Sequence, residues 1–266
     1  MAILISTNMC GAGGLGEIMP YLEAYDTLGV ELFPLFHKEG FEDDLNACIP
    51  HLENRPICFH GPYHLVEHSA PKGSEKYEEA MRLTEKTAKY CKKLNSSHFV
   101  FHHNNCVVHD EEKERMIQTS CENYRVIEEM LCRDGIRIVV ENAGVKDRKN
   151  MLFDMDEFID LCKKENYAVL VDIGHAHANG WDLRRLIEEL KGQIVAYHLH
   201  NNDGVHDSHK RLHDGSLDFD RFLDCMMELT PEADLVIEYA QEVSGDEEGI
   251  MQDIGELMSR VRTVNG

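Results

Sequence analysis

The stretch YAVLVDIGHAHANGWDLRRLIEELKGQIVAYHLH, residues 167–200, decides the fold. YAVLVDIGH (167–175) is a short apolar run that reads as a buried strand. DLRRLIEELKG (182–192) reads as an amphipathic helix, and QIVAYHLH (193–200) as a second strand. A strand, a helix and a strand in close succession predict parallel pairing.

The same alternation runs outward in both directions. Strands are expected at 2–6, 30–36, 56–60, 97–103, 136–142 and 233–239. Helices are expected at 16–29, 42–52, 74–95, 111–135, 154–166, 218–229 and 246–264. The helix at 74–95 opens on a capping serine, and the one at 111–135 closes on glycine. Eight strand–helix units predict closure into a (β/α)₈ TIM barrel, with an open doubly wound sheet as the alternative. No composition break marks a second domain, so residues 1–266 are read as one barrel domain.

The chain carries 49 acidic and 27 basic residues, a formal net charge of -22. Nucleic-acid affinity rests on cations that neutralise phosphates, so DNA is not an expected partner, and neither is an anionic membrane surface. No apolar run approaches the roughly 20 residues of a membrane span. The opening MAILISTNMC lacks the length and basic flank of a secretory signal, so export is not expected. Nine scattered cysteines without a C-x-x-C pair read as free thiols in a reducing cytoplasm.

Active sites of such barrels lie at the C-terminal ends of the strands. Here those ends read His60, His102 with His103, Glu141, Asp172, His198 with His200, and Glu238. Buried strand ends reject unpaired charge, so carboxylates and imidazoles meeting at one mouth point to a metal. His198 and His200 are two residues apart and share a face, at different heights. His175 follows Asp172 by three residues, placed to bind a second metal or a substrate oxygen. Asp207 and His209 form a D-x-H pair in a flexible, Gly-flanked loop. His60, His102, His200, Asp207 and His209 are candidates to bind a second metal or to contact substrate. His103, His206 and His213 read as structural or solvent-facing. Gly11, Gly13 and Gly16 spell G-x-G-x-x-G after the first strand, but Glu31 is poorly placed for a dinucleotide ribose, and a loop over the mouth is the preferred reading.

The motifs VVENAG, LVDIGHAHANGWD, HLHNNDG, DSHKRLHDGSLDF and VIEYA resemble the xylose-isomerase-like TIM barrel superfamily, over roughly residues 56–240. That superfamily includes sugar isomerases and epimerases as well as endonuclease IV, an AP endonuclease of family 2. The isomerase and epimerase branch implies one divalent metal, Mn, Co, Mg or Zn, held by Glu141, Asp172, His198 and Glu238. It implies that Glu141 and Glu238 move the proton and that His175 touches substrate oxygens. His198 is preferred over His200 because it begins the pattern His198-Leu199-His200-Asn201. The arginine that such epimerases place just after this histidine is absent before Arg211. The endonuclease IV branch implies two or three Zn ions on His60, His102, Glu141, Asp172, His175, His198, Asp207, His209 and Glu238, with Tyr63 in a matching motif.

The leading expectation is thus a metal-dependent sugar or sugar phosphate isomerase or epimerase that works through a metal-stabilised enediolate. Its substrate would be a small sugar or polyol. The alternatives are a multinuclear zinc phosphoesterase and a non-catalytic metal-binding barrel. Related barrels suggest a homodimer by analogy.

Overall fold

Eight parallel strands close on themselves in chain order. They are β1 (Ile3–Ser6), β2 (Gly29–Leu32), β3 (Ile57–His60), β4 (His98–Phe101), β5 (Arg137–Glu141), β6 (Val169–Asp172), β7 (Ile194–Leu199) and β8 (Asp234–Ile237). β8 pairs back onto β1, which closes the barrel and excludes the open sheet. The structure is a computed structural model that describes residues 1–11 and 14–265, with side chains described as far as residue 261.

Period-two alternation builds the interior. Ile3, Ile5, Val30, Phe59, Phe99, Phe101, Val140, Val171, Tyr197, Leu199, Leu235 and Ile237 point outward into the core shared with the helices. The inward residues form a separate apolar floor: Leu4, Cys58 and Val236 in one group, Val100, Val139, Leu170 and Ala196 in another. Two residues past each floor position lies a polar group on the same face: Ser6, His60, His102, Glu141, Asp172, His198 and Glu238. The barrel therefore lays a ring of chemistry directly on a plug of hydrocarbon.

The helices surround the barrel: α1 (Met19–Ala24), α2 (Phe41–Cys48), α3 (Glu75–Lys93), α4 (Asp110–Arg133), α5 (Met155–Glu165), α6 (Ile173–Ala178), α7 (Leu183–Leu190), α8 (Phe219–Leu229) and α9 (Glu247–Asn265). Ser74 caps α3, where it accepts from Tyr77 N. Several boundaries differ from the sequence reading. The second strand stops at Leu32 instead of running to 36, because Pro34 has no N–H to pair and Phe33 N turns to Thr7 Oγ1 at 2.8 Å. The sixth strand stops at Asp172, whose carboxylate accepts from His175 N at 2.6 Å and starts α6. The first predicted helix is a 3₁₀ turn, Gly14–Ile18, followed by α1 alone. The second gives way at Cys48 to a 3₁₀ turn, Ile49–His51, that contains Pro50.

Seven of the nine cysteines are buried as small core residues, and all nine are free thiols, as their spacing suggested. Among the described residues no helix is long and apolar enough to cross a membrane.

The loop after β7 and the residues just past β8 are tied to α9 by a partly buried ion pair. Arg211 donates from Nε and Nη2 to the two oxygens of Asp253, each at 2.9 Å, and Tyr239 Oη donates to the same carboxylate at 2.7 Å. Removing one partner of a buried pair strands the other's charge, at a cost of about 3–5 kcal/mol. Arg211→Ala is expected to lower stability in urea unfolding by less than that amount, because Arg211 itself is partly exposed and solvent screens the pair. Arg211→Lys should recover only part of it, because an ammonium cannot make the forked contact.

Candidate functional site

The ten side chains singled out from the sequence all converge on the mouth. Glu141 and Asp172 end β5 and β6, and His60 ends β3. His102, His200 and Glu238 each lie one residue beyond a strand, while His175 sits in the first turn of α6. Asp207 and His209 come from the loop after β7.

These residues form overlapping groups whose ligand atoms lie within 4.8 Å of one another: His60, His102 and Glu141; Glu141, Asp172 and His175; Asp172, His200 and Glu238; Glu31, His198 and Glu238; and His175, His200, Asp207 and His209. Glu141 is shared. Its Oε2 is 2.7 Å from His102 Nε2 and 3.7 Å from His60 Nε2, and its Oε1 is 3.1 Å from His175 Nδ1. His198 Nδ1 faces Glu238 Oε2 at 3.2 Å, Glu141 Oε2 at 3.5 Å and Asp172 Oδ2 at 3.8 Å. His200 Nε2 is 3.0 Å from Asp172 Oδ2. Both histidines of the H-x-H pair thus reach the buried carboxylates, His198 from Nδ1 and His200 from Nε2.

Several rings have an acceptor behind them. His60 Nδ1 is 2.7 Å from Gly61 O, His102 Nδ1 is 3.0 Å from Asn105 Oδ1, and His209 Nδ1 is 3.0 Å from Glu238 O. Such contacts fix ring orientation and leave the opposite nitrogen for the centre. Meanwhile Nδ1 of His175, of His198 and of His200, and Oδ1 of Asp207, are buried without a hydrogen-bond partner. They lie close to neighbouring donors and acceptors but are not aligned with them. Ligands that face a common cation have this arrangement, and the mixture of imidazole and carboxylate suits a transition-metal ion such as zinc or manganese.

The charge balance points the same way. Glu31, Glu141, Asp172, Asp207 and Glu238 are all buried. Among the described residues only Arg148 among the lysines and arginines pairs with them, from Nη1 to Asp207 Oδ2 at 2.9 Å. Burial raises a carboxyl pKa, but the surrounding rings outweigh it. His102 and His198 hold Glu141 well below the usual carboxylate range, and His175 and His200 bring Asp172 to about 2. The rings shift reciprocally. Burial would lower them, yet Asp207 brings His209 up to about 9, and facing carboxylates raise His175 and His198 well above the ordinary value.

The loop after β7 is fastened, contrary to its reading as flexible. Asn201 and Lys210 bridge through paired backbone hydrogen bonds, Asn201 Nδ2 donates to Leu212 O and Leu217 O, and Ala240 N donates to His209 O. The His200 ring packs on Gly174, where an added Cβ would lie 2.0 Å from Cε1, and stacks on His209 with centroids 3.7 Å apart. Above the cluster opens a cavity of ≈ 370 Å³ lined by His60, His102, Glu141, His175, Asp207, His209 and Glu238 together with Tyr63, Lys38, Arg148 and several side-chain amides.

Histidines set aside from the sequence lie elsewhere. His103 is buried on the outer face against Ser120 Oγ, His206 pairs with Asp203, and His213 with Glu256. In the glycine-rich turn, Gly11 N and Leu15 N donate to Glu17 and Asp44, so these two amides face the chain's own carboxylates; Gly13 lies outside the described residues. Two site residues escaped the sequence reading. Arg148 arrives from a loop and carries no motif. Glu31 was weighed only for a nucleotide, although a glutamate inside the apolar run VELF was itself a signal.

The sequence matches the family described as xylose isomerase-like TIM barrel over residues 23–260, and the chain belongs to that family. No curated protein matches it. Among solved structures it is similar to a D-tagatose 3-epimerase-like protein, at 16% identity and a TM-score of 0.76, covering 98% of this chain and 100% of that one. It is similar to the IOLI protein with a bound zinc atom at 16% identity and a TM-score of 0.75, covering 98% of each chain. It is also similar to an AP endonuclease of family 2 from Brucella melitensis at 16% identity and a TM-score of 0.68, covering 91% and 96%. At these identities the likeness concerns the fold.

The raised histidines link stability to pH. His209 has its pKa at about 9 in the fold, above the ordinary value of about 6.5 in an unfolded chain. Its stabilising contribution is complete below about pH 6.5 and is lost as pH rises through about 9. His175 and His198 shift in the same direction. Urea midpoints measured in chelator are therefore expected to fall steadily from pH 6.5 to 9; a flat or rising profile would contradict this account.

Proposed function

We propose that the chain is a divalent-metal-dependent isomerase or epimerase acting on a small sugar or related polyol. One observation carries the reading. Glu141 and Glu238 stand on or beside strands three places apart in the ring, yet their carboxylates approach one nitrogen, His198 Nδ1, within 3.5 and 3.2 Å. Both line the cavity. Two carboxylates on different sides of a small substrate suit removal of a proton from a carbon beside a carbonyl and its return. The similarity to an epimerase-like protein and to a zinc-bearing barrel supports the reading.

Glu141, Asp172, His198 and Glu238 would hold the cation. A bound divalent ion supplies Lewis-acid stabilisation of negative charge on substrate oxygens. The remaining work belongs to the chain. Glu141, held ionised by its imidazole neighbours, is ready to accept a proton at a carboxylate oxygen, and Glu238 serves the opposite side. His175 bridges Glu141 Oε1 and Asp207 Oδ2, at 3.1 and 3.4 Å, and so orients the base and faces the substrate oxygens. Asn150 and Gln241 bring side-chain amides to the cavity that could meet hydroxyl groups, and Tyr63 walls it. The cavity volume and the net charge of -22 favour a small substrate over a nucleic acid.

A second reading, phosphoester hydrolysis on two or three zinc ions, is favoured by one feature. His60, His102 and Glu141 form one donor group, and His175, His200, Asp207 and His209 form another apart from it.

The two readings separate experimentally. Under the first, wild-type protein loaded with manganese, cobalt, magnesium or zinc exchanges deuterium into the carbon beside the carbonyl of its sugar, followed by NMR against a sugar panel. Glu141→Gln and Glu238→Gln should each lose about 10²–10⁴-fold in that rate with unchanged circular dichroism. Near-normal exchange in both variants would sink the mechanism. Elemental analysis showing about one metal per chain agrees with the first reading. Two or three zinc ions per chain, with phosphodiesterase activity lost in Asp207→Ala and His209→Ala, would establish the second.

A further inference from the structure

The interior of β2 carries a carboxylate that the proposed chemistry does not use. Glu31 is fully buried beneath the cavity. Its Oε2 lies 3.0 Å from His198 Nε2 and accepts from Cys58 Sγ at 3.8 Å, while its Oε1 has no hydrogen-bond partner. On the opposite side of the same ring, His198 Nδ1 is also buried and without a hydrogen-bond partner, and it faces Glu238, Glu141 and Asp172.

A neutral imidazole carries one proton, and the acceptor beside one nitrogen decides where it sits. A carboxylate 3.0 Å from Nε2 holds the proton there. With the ring neutral, Nδ1 presents a lone pair to three carboxylates, an arrangement that a divalent cation between them would make favourable, in place of the second proton that the ring takes when the centre is bare. His60 and His209 have carbonyl oxygens behind them and His102 has an amide oxygen. The acceptor behind His198 is a full negative charge, which strengthens the ring as a donor.

We infer that Glu31 is a positioning residue that fixes His198 as its Nε2–H tautomer and thereby makes Nδ1 the metal-binding atom. The inference rests on the metal reading above. It also separates the two histidines of the H-x-H pair. His200 also has a carboxylate 3.0 Å from its Nε2 and an Nδ1 without a hydrogen-bond partner, but that carboxylate is Asp172, itself one of the proposed cation ligands, so its acceptor lies on the cation side and not behind the ring. Glu31 is held for this task by its neighbours: Ser6 and Cys58 stand beside it in register on the flanking strands.

The test is metal affinity in Glu31→Met and Glu31→Gln, read by competition of Zn(II) with a chromogenic chelator, beside the wild type. Glu31→Met removes the acceptor and is expected to weaken the tightest site about 10–100-fold. Glu31→Gln keeps an acceptor oxygen and should recover most of that loss, which a purely structural role would not predict. Long-range ¹H–¹⁵N spectra of the zinc-loaded wild type should show the His198 proton on Nε2, so the assignment stands or falls even if Glu31→Met does not fold. Unchanged affinity in both variants, or a proton on Nδ1, overturns the inference while leaving the metal reading intact. A wild-type chain that takes up no metal removes that reading and the inference with it.

Discussion

Five carboxylates buried in one barrel mouth set the problem that the rest of the structure answers. Glu31, Glu141, Asp172, Asp207 and Glu238 have almost no contact with solvent. A lone buried carboxylate is costly, and burial of several together adds their mutual repulsion. The chain answers with imidazoles rather than with lysine or arginine. Rings can take protons when the centre is bare and give them up to a cation, which a guanidinium cannot do. Arg148 is the exception, and it stands at the rim, half exposed, on the outermost carboxylate.

The barrel makes this concentration of charge tolerable by geometry. Because inward positions recur every two residues, the apolar floor of Val100, Val139, Leu170 and Ala196 lies directly under His102, Glu141, Asp172 and His198. Hydrocarbon below keeps water out and stiffens each side chain's base. Above the ring, the loops add what strands cannot reach. The loop after β7 folds back on itself through Asn201 and is clamped to α9 through Arg211. Asp207 and His209 are therefore carried on a braced segment and not on a free tip, and the backbone of His209 adopts a left-handed conformation, φ 41°.

The closed eight-strand fold was legible because each strand is short, apolar and separated by an amphipathic helix. The site was legible for a related reason: in VVEN, LVD and VIEY the apolar run stops at a carboxylate, which marks both the strand end and the chemistry. Other features were hidden by their nature. Glu31 lies inside its strand, and the apparent continuation LFPLF suggested that the mouth lay four residues further on; Pro34 ends pairing early and brings Glu31 to the level of the site. Arg148 acts through a loop whose path no periodicity encodes. The bracing of the polar loop rests on Asn201, whose side chain makes backbone-like bonds that composition cannot distinguish from a solvated asparagine.

The same donor set can serve proton transfer or phosphoester cleavage, so the ligands alone do not decide the chemistry. What distinguishes the two is what must stay free. Proton transfer needs a carboxylate oxygen that is not consumed by cation binding and that reaches a carbon in the cavity. Hydrolysis on several cations draws more carboxylate oxygens into cation binding, so that the cations can activate a water and clamp a phosphate between them. Glu141 is the residue on which the distinction turns, because its two oxygens already face different partners: Oε2 toward His60, His102 and His198, and Oε1 toward His175. If His60 and His102 act as hydrogen-bond donors to Oε2, a single cation held by Asp172, His198, Glu238 and one oxygen of Glu141 would leave the other Glu141 oxygen as a base. If His60 and His102 bind a cation of their own, Glu141 becomes a bridge and loses that function. Under the proposed function, the protonation of those two imidazoles would set the number of cations, and the number of cations the reaction.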